Sequence, residues 1–218
     1  MPRVADHDAR RRQVAAAVEQ LIADDGLDGV TVAKTAAAAG VSVGLVQHYF
    51  PSKDDMLLHT FTVVRDRIEQ RVVADAQRAD ETGARIEHIL LAAMADVLPH
   101  DDVRRRECRV ALAFTGRGVE VPALADALRA SNAHVRALLA QAIKNGKECG
   151  EVHPATAEDA EAAGLVAHLD GLILHAYTDP ATMPTTAAEA ALADHLRQVF
   201  PGPCRHPRRA ETIGTRPA

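Results

Sequence analysis

Aromatic residues and cysteines are scarce in this chain. Only 3% of its 218 residues are aromatic, and none is tryptophan. A cage around a quaternary ammonium, or a slot for a flat aromatic drug, needs several stacked rings, so neither is expected. The three cysteines, Cys108, Cys149 and Cys204, are widely spaced and contain no CxxC pair. With no signal-peptide pattern, we expect a reduced cytoplasmic protein.

Signatures of catalysis and of membrane insertion are also missing. The sequence contains no GxSxG, HExxH, Walker or dinucleotide-binding motif. No apolar run has the length that crosses a bilayer, and no alternating β-branched run predicts a strand. We therefore assign no catalytic residue, no metal, no cofactor and no membrane partner. Turnover that depended on a single histidine or cysteine would instead favour an enzyme.

The abundant residues favour helices. Hydrophobic residues make up 47% of the chain, and alanine, leucine and valine dominate them. The net charge of −5 argues against a protein that coats nucleic acid with its whole surface. A local DNA-binding face remains compatible with that charge, because Arg10–Arg12 open the first predicted helix and Lys53 opens the fourth.

Apolar periodicity, capping residues and helix breakers predict nine helices and an all-α fold. Gly26 ends the first helix, Gly116 and Gly118 break the sixth, and Pro122 starts the seventh. The predicted spans are roughly 10–25, 31–39, 43–50, 53–79, 84–98, 103–115, 122–147, 156–176 and 186–200. Capping boxes are predicted at three helix starts, in the pairs Ser52 with Asp55, Thr156 with Asp159, and Thr186 with Glu189.

These helices divide the chain into four segments. Residues 1–9 are predicted to be a flexible N-terminus, 10–52 a helix-turn-helix domain, 53–200 a second helical domain, and 201–218 a disordered basic tail. The tail contains four arginines against one glutamate and too few apolar residues to bury itself. The fourth helix is long enough to link two bodies.

The most informative segment is 31–53, in which two short helices flank the tripeptide Gly40-Val41-Ser42. Glycine adopts a positive φ in such a turn without a steric penalty from a Cβ atom. A helix-turn-helix of this kind places its second helix in the major groove of DNA.

The third helix has two faces. Val46 and Phe50 lie four residues apart and are predicted to pack on the first two helices, whereas Val43, Gly44 and Gln47 form a neighbouring stripe that faces base edges. Gln47 can pair bidentately with adenine, and Val43 can contact a thymine methyl group.

Further candidates would contact the DNA backbone. His48 and Tyr49 flank the reading stripe, while Thr31 and Lys53 start helices whose N-termini favour a phosphate. Each also has a plain structural alternative, namely an N-cap for Thr31, a surface lysine for Lys53 and half-buried packing for Tyr49. The complete candidate set is Thr31, Ser42, Val43, Gly44, Leu45, Gln47, His48, Tyr49 and Lys53.

These motifs resemble the N-terminal domain of TetR-family transcriptional regulators. The likeness rests on Thr31, the Gly40–Ser42 turn, Phe50 at the end of the third helix, and Lys53 followed by an apolar pair. The segment 44–50, GLVQHYF, together with the last two helices including 169–172, LDGL, looks most like the branch of choline-responsive betaine regulators. Most family members have a tyrosine at the position of Gln47, which suggests a different operator sequence.

The resemblance implies a nine-helix, two-domain regulator that acts as a homodimer. Helices eight and nine would pair with their mates as a four-helix bundle, and helices four to seven would enclose a pocket for a small-molecule effector. Two recognition helices about one DNA turn apart would then require a roughly palindromic double-stranded operator.

The eighth helix has two features that bear on this dimer. Ala163, Gly164, Ala167 and Gly171 recur every three or four residues and would allow a mate helix to approach closely. His168 and His175 share a face, but seven residues separate them by about 10.5 Å, which is too far for one metal ion. We therefore interpret these histidines as interface or surface residues.

The apolar faces of helices five to seven supply the candidate effector contacts, although a core role is the alternative for each. The set is Leu91, Met94, Cys108, Phe114, Asn132 and Leu138, with Leu139 and His134 as further options. Cys108 follows the basic run Arg104–Arg106, and nearby cations lower the pKa of a thiol. It could therefore sense redox state, although a small buried hydrophobe is the preferred interpretation.

Our hypothesis is a sequence-specific DNA-binding regulator, a repressor that a small molecule releases. The alternatives are a redox-responsive regulator that uses Cys108 and a non-enzymatic helical interaction protein. The scarcity of aromatic residues argues against transferring choline as the effector from the resembling branch.

Overall fold

The computed structural model describes residues 2–81 and 83–204, with side chains from residue 7 onward. These residues form nine α-helices and one short 3₁₀ turn and contain no strand, so the all-α prediction is confirmed. The helices are α1 (Pro2–Asp25), α2 (Val32–Ala39), α3 (Val43–Tyr49), α4 (Lys53–Glu81), α5 (Ile86–Ala95), α6 (Asp102–Gly118), α7 (Pro122–Cys149), α8 (Glu158–Thr178) and α9 (Thr185–Val199), and the 3₁₀ turn is Leu27–Gly29.

Several predicted helix boundaries are wrong. α1 starts at Pro2 rather than at Arg10, so the helix includes the N-terminal residues predicted to be flexible. α6 continues through Gly116 to Gly118, because no steric or backbone requirement forces a break at the exposed Gly116. α5 is shorter than predicted and ends at Ala95, where the chain turns and the amide of Leu98 donates to the Ala95 carbonyl.

Only one of the three predicted capping boxes forms. The Ser52 hydroxyl accepts from the amide of Asp55 at 3.1 Å and donates to the Asp55 carboxylate at 2.7 Å. α8 and α9 begin instead after Ala157 and Pro184, neither of which supplies a side-chain cap. In α8 and α9, a threonine followed three positions later by an acidic residue therefore does not mark the start of the helix. The first residue of the apolar face predicts that start better.

The apolar residues form two separate clusters. The head cluster joins α1–α3 and the first half of α4 to α6 and the start of α7, and its buried members include Val18, Val46, Phe50, Met56, Val110, Phe114 and Leu124. The bundle cluster joins α5, the second half of α7, α8 and α9, and its buried members include Met94, Leu98, Ile143, Leu165, Leu172, Leu192, Leu196 and Phe200. α4, α6 and α7 therefore carry the head on the bundle.

The chain after α9 starts as part of the folded body. The amide of Gly202 donates to the carbonyl of Glu151 at 2.9 Å, and the Arg85 guanidinium donates to the carbonyl of Gly202 at 2.7 Å. Residues 201–204 of the predicted tail therefore lie against the α7–α8 loop, and 205–218 fall outside the described residues. Among the helices that the structure describes, none combines the length and apolarity needed to cross a bilayer.

Candidate nucleic-acid interface

The turn between α2 and α3 is fixed by backbone geometry and two hydroxyl caps. Gly40 ends α2 in the left-handed region, with φ of 65°, and its amide donates to the carbonyls of Ala36 and Ala37. Thr31 caps α2 by accepting from the amide of Lys34 at 3.2 Å, and Ser42 caps α3 by accepting from the amide of Leu45 at 3.2 Å. These contacts set the angle between the two helices.

α3 presents the predicted reading stripe to solvent. Val46 and Phe50 are buried in the head cluster, at 0% and 2% exposure. On the opposite side Val43 is 44% exposed, and Gly44, Gln47 and His48 are exposed as well. A Cβ atom added to Gly44 would meet no atom within 4 Å, so the backbone there is open to close approach. The stripe has the shape and hydrogen-bonding groups that a major groove accepts.

The remaining members of the candidate set are less free. Leu45 and Tyr49 are half-buried, and the Tyr49 ring makes edge contacts with His7 at 4.6 Å and with His48 at 5.2 Å between centroids. The Lys53 ammonium donates to the carbonyl of Leu27 at 2.7 Å. Lys53 therefore ties the start of α4 to the 3₁₀ turn, in addition to any role at a phosphate.

Sequence reasoning missed two side chains that hold the reading helices in place. The Gln13 amide on α1 donates to the carbonyl of Ala39 at 2.7 Å, which fixes the end of α2 just before the turn. The Arg109 guanidinium on α6 donates to the carbonyl of Ala23 near the end of α1. No local pattern marks these contacts, because each joins residues far apart in the chain.

A set of ion pairs, which we call the junction, joins the head to the second body. Glu107 on α6 is buried and accepts from Arg67 at 3.0 Å and from Arg71 at 2.9 Å, both on α4. Arg67 also reaches Glu19 on α1 at 2.9 Å, and Arg71 reaches Asp96 after α5 at 2.5 Å. Three helices, α1, α4 and α6, and the residue that follows α5 thus meet through charges.

The charges of the junction reinforce one another. Hydrogen bonds that Arg71 donates to Glu107 raise the pKa of Arg71 above its ordinary value despite the opposing effect of burial. Burial alone would raise the pKa of Asp96, but hydrogen bonds from Arg104 and Arg71 outweigh it and lower that pKa. Arg71 and Asp96 therefore remain charged across the physiological pH range.

The predicted effector contacts do not converge on one cavity. Leu91 and Met94 belong to the bundle cluster, whereas Phe114 is buried in the head cluster and stacks on Phe61 at 4.0 Å between centroids. Leu138 is 53% exposed, and Asn132 is half-buried. Two shallow grooves of about 350 Å³ each lie elsewhere, one along 66–73 of α4 and one between α1, α3 and α4.

The two remaining options on α7 are equally separate. Leu139 is buried in the bundle cluster, and His134 is exposed and contacts Glu69 on α4 at 2.9 Å. Leu139 therefore packs in a core, and His134 lies at the surface.

Cys108 is a buried thiol rather than an activated one. Its Sγ donates to the carbonyl of Val97 at 3.3 Å, and the residue is 4% exposed. Burial, helped by the neighbouring Glu107 carboxylate, raises the pKa of Cys108 to about 12, and Arg105 only partly opposes this. The expectation that the basic run would lower the thiol pKa is therefore wrong, and the redox alternative loses its basis.

The outer face of α8 is open in the single chain. Ala163, Gly164 and Ala167 are exposed, Leu174 is 44% exposed, and a Cβ atom added to Gly164 or Gly171 would meet nothing within 4 Å. The two histidines of α8 have different surroundings. The His168 ring packs edge-on against His195 of α9, with 4.8 Å between the ring centroids, whereas His175 is exposed.

Comparison with protein families matches both parts of the chain. Residues 14–60 match the family model of bacterial regulatory proteins of the tetR family, and residues 86–201 match that of the BetI-type transcriptional repressor C-terminal domain. The interval between the two matches, residues 61–85, covers most of α4, the helix that links the head to the bundle, and the residues just after it.

Curated relatives cover almost the whole chain. The HTH-type transcriptional regulator PksA of Bacillus subtilis is 28% identical, over 91% of this chain and 94% of its own length. The HTH-type transcriptional regulator BetI of Burkholderia mallei is also 28% identical, over 92% of this chain and 98% of its own length.

Solved structures share the same fold. A transcriptional regulator from Rhodococcus is 32% identical with a TM-score of 0.76, covering 88% of this chain and 96% of its own. A regulator from Saccharomonospora viridis, solved in complex with choline, is 23% identical with a TM-score of 0.77, covering 87% and 96%. Both comparisons include the helix-turn-helix and the bundle.

Proposed function

The chain belongs to the TetR family of bacterial transcriptional regulators, with a BetI-type C-terminal domain, and on that basis we propose how its residues perform the regulation. It acts as a DNA-binding repressor in which the exposed stripe Val43, Gly44 and Gln47 reads bases in the major groove. His48 and the helix starts at Thr31 and Lys53 contact the phosphates on either side. The exposure of that stripe, beside the buried Val46 and Phe50, is the observation that supports this assignment.

The dimer uses the outer face of α8, with α9 beside it. Small exposed residues at 163, 164 and 167 let a mate helix approach closely, and Leu174 provides apolar area that the single chain leaves in water. Each subunit of a TetR-family dimer contributes one recognition helix, so the operator has two related half-sites about one helical turn apart.

Release of DNA passes through the junction. An effector that favours one arrangement of α4 and α6 must break or shift the contacts of Arg67 and Arg71 with Glu107. Because α4 follows the recognition helix α3 after a short turn, a movement of α4 also moves α3. An effector that bound both arrangements equally would change nothing.

The effector differs in chemistry from choline, the compound bound to the Saccharomonospora viridis protein. Recognition of a quaternary ammonium requires aromatic faces around the cation. Here Phe61 and Phe114 stack on each other, Tyr177 lies under Arg105 at 4.6 Å, and Phe200 is buried at the base of the bundle. Phe61 and Phe114 pack in the head cluster and Phe200 in the bundle cluster, which supports an apolar or weakly polar effector.

The DNA-reading assignment is tested by the substitution Gln47→Ala. Fluorescence anisotropy with DNA from the region upstream of the gene should show binding that weakens by about 5- to 150-fold, the equivalent of one bidentate base contact. The unfolding midpoint should stay unchanged, because Gln47 is exposed.

Gln141→Ala on α7 is the matched control, since Gln141 is also exposed but lies far from α3 in the chain. Equal affinities for Gln47→Ala and Gln141→Ala would contradict the reading stripe. If the unmodified protein shows no salt-sensitive, sequence-selective binding to this DNA, the DNA-binding function itself is contradicted.

The dimer assignment is tested by Leu174→Arg, which places a charge on the α8 face. Sedimentation velocity should show conversion from dimer to monomer with α-helical content unchanged. Val119→Arg is the control, because Val119 is 86% exposed and lies after α6, away from that face. A dimer that survives Leu174→Arg as well as it survives Val119→Arg would place the interface elsewhere.

A further inference from the structure

The base of the bundle brings together two chain segments that are distant in sequence. Cys149 is the last residue of α7, Glu151 lies in the loop that follows, and Cys204 lies beyond the end of α9. One donor atom from each, two thiol sulfurs and a carboxylate oxygen, lie within 4.8 Å of one another. The cysteines are partly exposed, and Glu151 is 1% exposed, so an ion can enter from the thiol side.

The surrounding contacts hold these donors in place. The two Glu151 oxygens accept from the amides of Ile86 and Glu87 at 3.2 and 3.3 Å, which orients the carboxylate at the start of α5. The Gly202 amide donates to the Glu151 carbonyl at 2.9 Å, which holds the segment that carries Cys204. The Cys149 Sγ lies 3.7 Å from a Glu151 carboxylate oxygen.

Glycine is required where the two segments meet. A Cβ atom on Gly202 would lie 2.2 Å from the carbonyl oxygen of Gly150, a backbone atom that cannot move aside easily. The close approach of 202 to 150 is what brings Cys204 beside Cys149.

We propose that Cys149, Glu151 and Cys204 form a binding site for a thiophilic divalent cation of the Zn²⁺ type. Two sulfur ligands and one carboxylate are a donor set that zinc accepts, with water in the fourth tetrahedral position. At zinc–sulfur distances of about 2.3 Å the two sulfurs of a tetrahedral site lie about 3.8 Å apart, so the donors need only a small contraction.

Charge supports the same ion. Binding replaces the two thiol protons with the cation, so the site gains no net charge. The divalent cation offsets the two thiolates, and the Arg85 guanidinium lies 3.7 Å from the Glu151 carboxylate and 3.1 Å from the Glu87 carboxylate. A monovalent hard cation offers neither this balance nor an affinity for sulfur.

The site clamps the corner at which α4 passes into α5. Arg85 precedes α5 as its N-cap residue and Ile86 is the first residue of that helix, and both contact Glu151. Arg85 also donates to the carbonyls of Phe200 and Gly202. Occupancy therefore ties α5, α7 and the end of α9 together. This proposal does not depend on DNA binding.

The test is titration of the reduced, metal-free full-length protein with Co²⁺, a spectroscopic substitute for Zn²⁺. We expect one equivalent to produce a thiolate-to-cobalt charge-transfer band and strong tetrahedral d–d bands. Zn²⁺ should displace the cobalt, and a competing chromophoric chelator then reports the zinc affinity.

Cys204→Ser should weaken zinc binding by more than about 100-fold, beyond the loss of an outer-shell partner, and remove the charge-transfer band. Cys149→Ser should do the same, whereas Cys108→Ser should bind as the unmodified protein does, because Cys108 is buried on α6, bonds the Val97 carbonyl and is not one of the three donors. Circular dichroism confirms that each variant is folded.

Three outcomes would overturn the proposal. The first is a folded, reduced protein that gives no charge-transfer band. The second is a band that persists unchanged in Cys204→Ser. The third is a zinc affinity that Cys108→Ser lowers as much as Cys149→Ser does.

Discussion

The head cluster and the bundle cluster differ in how their residues are distributed along the chain. The bundle cluster draws only on residues after α4, at positions 94–98 and 139–200. The head cluster combines the first 64 residues with Val110, Phe114 and Leu124, which lie on α6 and α7. The DNA-reading head therefore completes its core with residues from the second body.

This difference explains how a signal can reach the DNA. An independent head on a flexible linker would not sense movement in the bundle. Here α6 contributes Phe114 to the head core, Glu107 to the junction and Arg109 to the end of α1. A shift of α6 therefore acts on the head through packing, charge and backbone contacts together.

The largest effect is expected when the shared core is broken. Phe114→Ala removes a buried ring stacked on Phe61 and should lower the free energy of unfolding by about 4 kcal/mol. Hydrogen exchange should increase in α2 and α3 although the substitution lies outside residues 10–52. Leu196→Ala, with a similar cost in the bundle cluster, should leave exchange in α2 and α3 less affected.

Urea unfolding measures the free energy of unfolding, and hydrogen exchange of the folded protein measures the protection of α2 and α3. Equal protection of α2 and α3 in Phe114→Ala and Leu196→Ala would show that the two clusters unfold as one unit. The head cluster and the bundle cluster would then not be separate units of stability.

The junction should contribute somewhat less. Glu107→Gln leaves Arg67 and Arg71 without their buried anion and should cost about 3 kcal/mol. Glu120→Gln is the control, because its side chain is 70% exposed and pairs only at the surface with Arg117, a contact worth less than about 1 kcal/mol. Similar unfolding midpoints in urea for the two variants would contradict a structural role for the junction.

Two glycines of the head separate stability from DNA reading. Gly40→Ala forces a Cβ atom into the left-handed region and should destabilise the protein by about 1–2 kcal/mol. Gly44→Ala lies inside α3 with open space around it and should stabilise the protein by about 0.5–1 kcal/mol, yet weaken DNA binding because the methyl group faces the groove. A Gly44→Ala protein that is more stable and binds DNA equally well would remove Gly44 from the interface.

The smallest expected effect is a dependence of folding stability on pH, to which one histidine in each region contributes. Burial, with Arg11, lowers the pKa of His59 beside Phe50, and burial, with His168, lowers the pKa of His195 on α9. Because each folded-state pKa lies below the unfolded value of about 6.5, the unfolded chain binds protons first as pH falls. Stability is complete above about pH 6.5 and is lost as pH falls through the folded-state values.

Substitution to asparagine separates the two contributions. His59→Asn and His195→Asn should each flatten the decline of the thermal midpoint below about pH 6.5. A decline that neither variant changes would assign the pH dependence to other groups.

The sequence predicted the turn, the two caps and the exposed face of α3 because their determinants are local. The turn depends on one glycine and two hydroxyl caps, and the reading stripe depends on helical periodicity across 43–50. The effector contacts were harder to predict, because periodicity identifies an apolar face without saying which core receives it. Phe114 and Met94 look alike in sequence, yet they belong to different clusters.

The amino-acid sequence by itself determined the all-α class, the helix-turn-helix and the family, since propensity, capping and periodicity act within a few residues. Only the tertiary structure decided that Cys108 is inert, that Glu107 anchors two arginines, and that Cys149 and Cys204 meet. These outcomes depend on burial and on contacts between residues far apart in the chain, and neither is encoded in any local pattern.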